Sequence, residues 1–445
     1  MKRDPVVVTI SSLHADGYGV TESGDFAVLG ALPTETVTAV PFRRHRRCTY
    51  SRIQRIETSA ADRVQPKCAV ADVCGGCSLQ HLDHEAQISH KQAGWLEQFA
   101  APPAEVLPPM TGPLFGYRSK ARLGLRYVEK KGRVLVGFRE QMNRYITDMT
   151  ACEVLRDPVG HMLESLGDLV MDMSEPGDIP QIEVAVGDSD IALVVRHLSP
   201  LSESDLLLWR TFAANNGLMI YLQPTAADIY RLYPTECSDY LYYDLPAYQL
   251  RMHFKPLDFT QVNHAINRKM VDQALDLLAV GPQDTVLDAF SGIGNFSLAL
   301  ARQAGSVIGV ETAKASVDRA RYNAQHNEIS NVVFLERDLF SEDISDVLVD
   351  ESITHVLIDP PRSGAELLVE KLAESNVLRV VYVSCNPRTL ARDASILIRG
   401  GYQFEKAGII DMFPHTNHVE SMALFTRSAS GLATDTGSSV ALQVE

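Results

Sequence analysis

The sequence of 445 residues carries 41 Lys and Arg against 56 Asp and Glu, a formal net charge of −15. Hydrophobic residues at 45% and charged ones at 22% exclude a disordered or fibrous chain and allow two or three globular domains. No window approaches the roughly 18 uncharged apolar residues of a membrane span. The N-terminus MKRDPVVVTISSLHADGYG lacks the apolar core of a signal peptide, so a cytoplasmic protein with no membrane partner is expected.

Along the chain, residues 1–59 read as a small all-β module. The runs VVVTI, GYGV, DFAVLGAL, TVTAV and CTYSRIQRI are short, β-branched or aromatic, and separated by Gly, Pro, Asp and Ser turns. Residues 60–257 form a middle region of mixed α and β character. It opens with a cysteine cluster and the helix-like HEAQISHKQAGWLEQFA. The strand-like SKARLGLRYVEKKGRVLVGFRE follows, and QIEVAVGDSDIALVVRHL reads as a hairpin. From residue 258 to 427 the apolar runs TVLDAF, SVIGVE, NVVFLE, THVLID, RVVYVS and SMALFT alternate with helical segments such as HAINRKMVDQALDLLA, which predicts a mostly parallel sheet with helices on both faces. Residues 428–445 are poor in core formers and expected to be disordered.

The charge is unevenly spread. Arg43, Arg44, Arg46, Arg47, Arg52 and Arg55 stand together without an acidic neighbour. Arg118, Lys120, Arg122, Arg126, Lys130, Lys131, Arg133, Arg139 and Arg144 face only Glu129 and Glu140, with Tyr117, Tyr127 and Phe138 interleaved. One such block is an ordinary solvated face; two in an acidic protein predict a track for RNA phosphates.

In VLDAFSGIGNFSLA an apolar strand ends at Asp288, and a loop with Gly292 and Gly294 opens a helix. Such a loop lets the backbone approach a ligand at the carboxyl end of the sheet, although no third glycine completes a dinucleotide motif. The next strand ends at Glu311, suited to a ribose, and the following one leads to Asp338, suited to an adenine. This order resembles class I methyltransferases and predicts S-adenosylmethionine rather than a nicotinamide.

Asp359 in LIDPPRSG ends the next strand. Asp-Pro-Pro alone also suits methylation of an amino group. Cys385 in VVYVSCNPRTLARD, flanked by the polar Ser384, Asn386 and Pro387, ends the strand after that, and Glu420 in HTNHVESMALFTR precedes the last. A thiolate can add to carbon 6 of uracil and make carbon 5 nucleophilic; a carboxylate can then remove the carbon 5 proton. His415 and His418 are alternative bases or plain surface residues.

The segments FTQVN (Phe259–Asn263), DAFSGIGNFSLALA, DPPRSG, SCNPRTLARD and HTNHVESMALF together resemble the RNA 5-methyluridine methyltransferases over essentially the whole chain. The resemblance implies a class I (Rossmann-like) α/β methyltransferase domain. It places Gln261, Phe290, Asn295, Glu311, Asp338 and Asp359 around cofactor and base, with Cys385 as nucleophile and Glu420 as base. The N-terminal module resembles the TRAM domain, an oligonucleotide-binding-like barrel.

Of the seven cysteines, Cys68, Cys74 and Cys77 form C-x5-C-x2-C, and Cys152 lies downstream. Thiolates suit zinc or an iron–sulfur cluster, and His81, His84 and His90 keep a Cys3His zinc site open. The resemblance favours a structural [4Fe–4S] cluster on Cys68, Cys74, Cys77 and Cys152. It implies 23S ribosomal RNA as partner; no DNA partner and a monomer are expected besides. Two rivals remain at this point: an amino-group methyltransferase, indifferent to Cys385, and a non-enzymatic RNA-binding factor, unable to bind S-adenosylmethionine.

Overall fold

The computed structural model describes residues 4–226, 228–236, 238–341 and 352–427; Cys237 and the expected C-terminal tail lie outside them. The chain forms two compact units. One comprises the chain up to Trp95, Pro109–Lys269 and Ile410–Val419; the other comprises Leu96–Pro108, Met270–Ile409 and the chain from Glu420. Among the described residues no helix is long and apolar enough to cross a membrane.

The first unit holds two six-stranded sheets. The N-terminal one runs in the order Val6–Thr9, Thr36–His45, Cys48–Thr58, Phe26–Leu29, Tyr18–Val20, Ser12–Leu13. Its inward positions bury Ile10, Val28, Ala31, Val37 and Ala39. The two long strands bend through three register shifts, the usual device for curling a sheet. The fully buried Glu35 ties the end of this sheet down. Its carboxylate accepts the Leu32 amide at 2.9 Å and the Ala60 amide at 3.2 Å, and pairs with Arg63 at 2.5 Å.

The second sheet runs Tyr230–Tyr233, Met219–Gln223, Ile191–Arg196, Gln181–Val186, Lys120–Val128, Arg133–Gly137. The expected hairpin is there: Gln181–Val186 pairs antiparallel with Ile191–Arg196. Helices Leu163–Met171 and Glu203–Asn216 cover the sheet and bury Leu166, Val170, Trp209 and Ala213. Glu203–Asn216 starts at a reciprocal capping box between Ser202 and Asp205, which satisfies amides that a helix start leaves open. Helix His84–Leu96 belongs almost wholly to this unit.

The second unit is built on an eight-stranded sheet in the order Val332–Glu336, Ser306–Glu311, Thr285–Ala289, Ile353–Ile358, Arg379–Ser384, Glu420–Thr426, Gln403–Ile410, Glu105–Val106. The first five strands are parallel, and Glu420–Thr426 runs antiparallel to Arg379–Ser384. Thr285–Ala289 and Arg379–Ser384 are buried at every position after the first, as strands covered on both faces must be. Thr285–Ala289 lies between strands that continue the chain in opposite directions across the sheet. The crevice at its carboxyl end is the topological switch point where doubly wound folds bind ligands. All six strands expected here are present. Gln403–Ile410, polar in its first half, and the two-residue Glu105–Val106 give too little apolar pattern to be read from sequence.

Candidate active site

The loop after Thr285–Ala289 turns through three left-handed residues, Phe290 (φ +67°), Gly292 (+54°) and Gly294 (+90°). A Cβ on Gly294 would stand 3.2 Å from the Phe334 ring, so the glycine serves close packing as well as the turn. Glu311, at the end of its strand, braces this loop: its carboxylate accepts the Gly292 amide at 3.2 Å and the Ala313 amide at 2.8 Å. Asp288 is fully buried, accepts the Ser297 hydroxyl, and keeps its other oxygen without a partner, as does the buried Ser291 hydroxyl. Burial pushes the Asp288 carboxyl up to about 7. Phe290 packs against Phe340 with ring centroids 5.5 Å apart, and Phe340 is 48% exposed. Asp338 is exposed and accepts the Phe340 amide at 2.9 Å. Asn295 is partly buried in the same loop. A turned glycine loop, an acid at the end of the next strand, unsatisfied buried oxygens and an aromatic pair suit an adenosine-bearing cofactor.

The reactive groups gather at the neighbouring strand ends. Ser384 stands opposite Ser421 as the last pair of the antiparallel register, with Cys385 following the one and Glu420 preceding the other. Asp359 follows the parallel strand Ile353–Ile358, whose Ile358 is level with Tyr382. Burial pushes the Cys385 thiol up to about 11, and the neighbouring Glu420 and Asp359 carboxylates add to the rise; the Arg362 guanidinium opposes it. Burial, then Asp359, raises the Glu420 carboxyl to about 8, again against Arg362. Burial alone lifts Asp359 to about 7. Two carboxyls and a thiol in one poorly solvated place push each other toward their neutral forms.

Two residues to which the sequence assigned no role emerge here. Arg362 of DPPRSG is the cation that opposes the rise of both Cys385 and Glu420. Asn386 donates its side-chain amide to the Arg362 carbonyl at 2.9 Å, and its side-chain oxygen caps helix Pro387–Arg399 by accepting the Arg388 amide at 3.2 Å. The fully buried Asp393 accepts the Ala365 amide (2.8 Å), the Tyr382 hydroxyl (2.6 Å) and Arg392 (2.7 Å), fixing the far end of the loop. Gly364, at φ +76°, has Arg392 and Asp393 atoms within 3 Å of where a Cβ would stand. The only signal in the sequence was an arginine one residue past the two prolines.

The remaining expected residues lie in the first unit. Gln261 sits partly buried beside Val262, whose carbonyl accepts the Ser119 amide and hydroxyl at 2.8 and 2.9 Å. His415 is buried rather than superficial, and burial holds it down to about 4, too weak a base to compete with a carboxylate near 8. His418 is exposed. Arg43, Arg44, Arg46 and Arg47 are exposed around one turn, and no ion pair among the described residues engages them. The second block is more mixed. Arg122 pairs with Glu183 at 2.8 Å, and both Lys131 and Arg133 pair with Asp148. Lys120 is a correction to the phosphate track. It donates to the carbonyls of Pro256 and Asp258, and burial lowers it to about 8, so it ties backbone together.

Among the described residues no group of three or more His, Cys, Asp or Glu is placed to hold a metal ion. Cys68, Cys74, Cys77 and Cys152 nevertheless line a single cavity. Burial pushes Cys77 up to about 12 and Cys152 to about 11. No histidine lines that cavity, and His84 is engaged by Asp411 at 2.9 Å.

Residues 236–428 match the family described as tRNA (Uracil-5-)-methyltransferase. The chain is 45% identical over 431 residues to the 23S rRNA (uracil(1939)-C(5))-methyltransferase of Alcanivorax borkumensis, covering 95% of this chain and 97% of the relative. The chain belongs to the RNA uracil-C5 methyltransferases. The enzyme of this name from Alkalilimnicola ehrlichii is 46% identical to this methyltransferase over 436 residues, covering 96% and 98%. The crystal structure of Pyrococcus abyssi tRNA (uracil-54, C5)-methyltransferase with S-adenosyl-L-homocysteine shares the fold of this uracil methyltransferase, with a TM-score of 0.74 at 23% identity over 95% of this chain and 100% of that one.

Proposed function

We propose that this methyltransferase forms 5-methyluridine at position 1939 of 23S ribosomal RNA, acting in the cytoplasm as a monomer without DNA or membrane partners. The observation that carries the reading is the Cys385 thiol at a strand end next to the pair Ser384–Ser421, where it feels the charges of Glu420, Asp359 and Arg362. It is supported by relatives of that name matching nearly the full chain.

Glu311, Asp338, Phe290, Asn295 and Asp359, with Gln261 as the family resemblance assigns it, would hold S-adenosylmethionine, which would supply a methyl sulfonium electrophile when bound. The chain's own residues do the rest. Cys385 gives its proton to a neighbouring carboxylate, and the thiolate forms a bond to uracil carbon 6. The ring electrons move to the carbon 4 oxygen and make carbon 5 nucleophilic. Arg362 offers the positive charge facing this pocket. After carbon 5 is methylated, Glu420 removes its proton, the carbon 5–carbon 6 double bond re-forms, and the sulfur leaves as thiolate. The deciding experiment is to map 5-methyluridine in ribosomal RNA from cells lacking the protein and then restored with it: loss and return at position 1939 support the reading, and an unchanged map overturns it.

The N-terminal module is proposed as a TRAM-like RNA-binding domain over residues 1–59, followed by a central domain to 257 and the methyltransferase domain over 258–427. Arg43, Arg44, Arg46 and Arg47 are its contact with phosphates. Changing all four to Gln is expected to weaken RNA binding and flatten its salt dependence, by about 0.7–0.9 in the log–log slope for each phosphate left unneutralised. Equal binding across a salt titration would remove the module from the RNA path.

The four cysteines around one cavity are proposed to hold a [4Fe–4S] cluster with a structural role. The meeting of four thiols at one cavity supports it, as does burial that pushes the Cys77 and Cys152 thiols up. Protein purified without oxygen is expected to carry iron and acid-labile sulfide in equal amounts, both lost in Cys77→Ser; zinc in their place would select the mononuclear alternative.

A further inference from the structure

The helix that begins just past the nucleophile also grips the loop of Asp359-Pro-Pro, within the same unit. Helix Pro387–Arg399 starts two residues after Cys385, and Asn386, Arg392 and Asp393 meet the short segment Arg362–Ala365. Each hold is on the backbone. Asn386 donates its side-chain amide to the Arg362 carbonyl at 2.9 Å, Arg392 donates to the Ser363 carbonyl at 3.1 Å, and Asp393 accepts the Ala365 amide at 2.8 Å. Gly364, left-handed at φ +76°, is the tight point: a Cβ there would stand 2.7 Å from Arg392 and 2.8 Å from Asp393. The Arg362 side chain is exposed and enters no ion pair among the described residues, so its charge is placed by the course of the backbone.

Asp393 is the centre of this clamp. It is fully buried, and one carboxylate oxygen accepts both the Ala365 amide and, at 2.6 Å, the Tyr382 hydroxyl. The other oxygen accepts the Arg392 guanidinium at 2.7 Å, and Glu366 steadies Arg392 in turn at 2.9 Å. Tyr382 is buried three residues before Cys385 on strand Arg379–Ser384. A buried carboxylate with three donors is confined to one arrangement, because each bond lost leaves a buried polar group unsatisfied. One side chain therefore ties the strand that ends at the nucleophile to the loop that carries Arg362. Leu390, Ala394 and Leu397 are buried and seat the helix.

The charges that reach Cys385 are Glu420 and Asp359, which disfavour its thiolate, and Arg362, which favours it. The amino end of the helix adds a partial positive charge. We infer that Asp393 is a positioning residue for the nucleophile: with Asn386 it clamps the backbone of Arg362–Ala365 and so keeps the Arg362 guanidinium toward Cys385. The inference rests on the reading of Cys385 as the nucleophile. Asp393, being fully buried, is out of reach of RNA and acts through Arg362 alone. Without the clamp the guanidinium spends less time near the sulfur, and the thiolate becomes scarcer at any given pH. Addition to carbon 6 slows, while the glycine loop, braced by Glu311, keeps its own hydrogen bonds.

The test uses the full chain and reads the reactivity of Cys385 itself: alkylation by iodoacetamide from pH 7 to pH 9, followed on the Cys385 peptide by mass spectrometry. Asp393→Asn keeps the buried volume, and Arg362→Gln removes the cation. Each should slow alkylation about threefold to tenfold and displace the profile to higher pH. The double variant should be no slower than Arg362→Gln alone, because both changes remove one influence. First-turnover methyl transfer should fall in the same order, with the Kd for S-adenosylmethionine unchanged. Asn386→Ser keeps an oxygen at the helix cap but cannot reach the Arg362 carbonyl. It should reproduce Asp393→Asn, and it decides the matter if Asp393→Asn shows no melting transition. Wild-type alkylation in the folded variant, or effects that multiply in the double variant, overturns the inference. Cys385→Ala separates the two failures: if it still methylates, the reading of Cys385 has failed, and if it is inactive while the effects multiply, the role of Asp393 alone has failed.

Discussion

Cys385→Ala is expected to abolish methylation, with turnover reduced on the order of 10⁴-fold or more, as when a nucleophile that opens a covalent pathway is removed. The reason is chemical. Carbon 5 of uracil attacks a sulfonium only after carbon 6 has been occupied, and among the described residues no other thiol lies at this sheet end. Binding of S-adenosylmethionine should survive, because Glu311 and the glycine loop are held by their own hydrogen bonds. RNA carrying 5-fluorouridine sharpens the result: the unaltered enzyme should be trapped as a detergent-stable complex, fluorine being unable to leave as the proton does, and Cys385→Ala should form none. A complex that persists in the variant would place the nucleophile elsewhere. Full activity would return Asp359-Pro-Pro to amino-group chemistry.

Glu420→Gln should fail later in the reaction. The glutamine keeps size and hydrogen bonding but cannot accept the carbon 5 proton, so methylated RNA should stay bonded to Cys385 and turnover should fall by about 10²–10⁴-fold. The pH dependence follows from the burial of the group. With the carboxyl raised to about 8, the fraction able to act as base grows as pH rises through that value and is lost below it. The Cys385 thiol, raised to about 11 by burial and its carboxylate neighbours, also favours the alkaline side. Turnover should therefore climb from pH 6 to pH 9 in the native enzyme, and the step near pH 8 should vanish in single-turnover release by Glu420→Gln. A profile already flat above pH 5 would mean that Glu420 is solvated and another group takes the proton.

The strands of the catalytic sheet were legible because burial on both faces writes them as continuous apolar runs. Glu311, Asp359 and Cys385 stood out because each ends or directly follows such a run, and Asp288 because it interrupts one just before its end, where polar residues have no packing reason to be. What escaped has a physical cause in each case. Gln403–Ile410 pairs beside the last strand with half its residues polar, and so lacks an apolar signature. Arg362 acts through its charge in a pocket whose burial no spacing reveals. Lys120 looked like a phosphate ligand until its neighbours proved to be carbonyls 136 and 138 residues away. Gln87 and Lys91, on an ordinary-looking helix, hydrogen-bond to His415 and Asp411 more than 300 residues downstream, a distance at which no local pattern speaks.

The course of the backbone has a consequence for how such a protein can be taken apart or recombined. The chain passes from one unit to the other after Trp95, Pro108, Lys269, Ile409 and Val419. Neither unit is a contiguous stretch of gene. A fragment beginning near residue 258 would lose Leu96–Pro108 and with it the Glu105–Val106 partner of Lys406 and Ala407, leaving an open strand edge prone to pairing with other chains. It would also have to fold residues 410–419 without Ser78, Gln87 and Lys91, which hydrogen-bond to that segment. A single crossover between genes therefore cannot transplant the catalytic sheet alone, because its strands come from three separate stretches of chain.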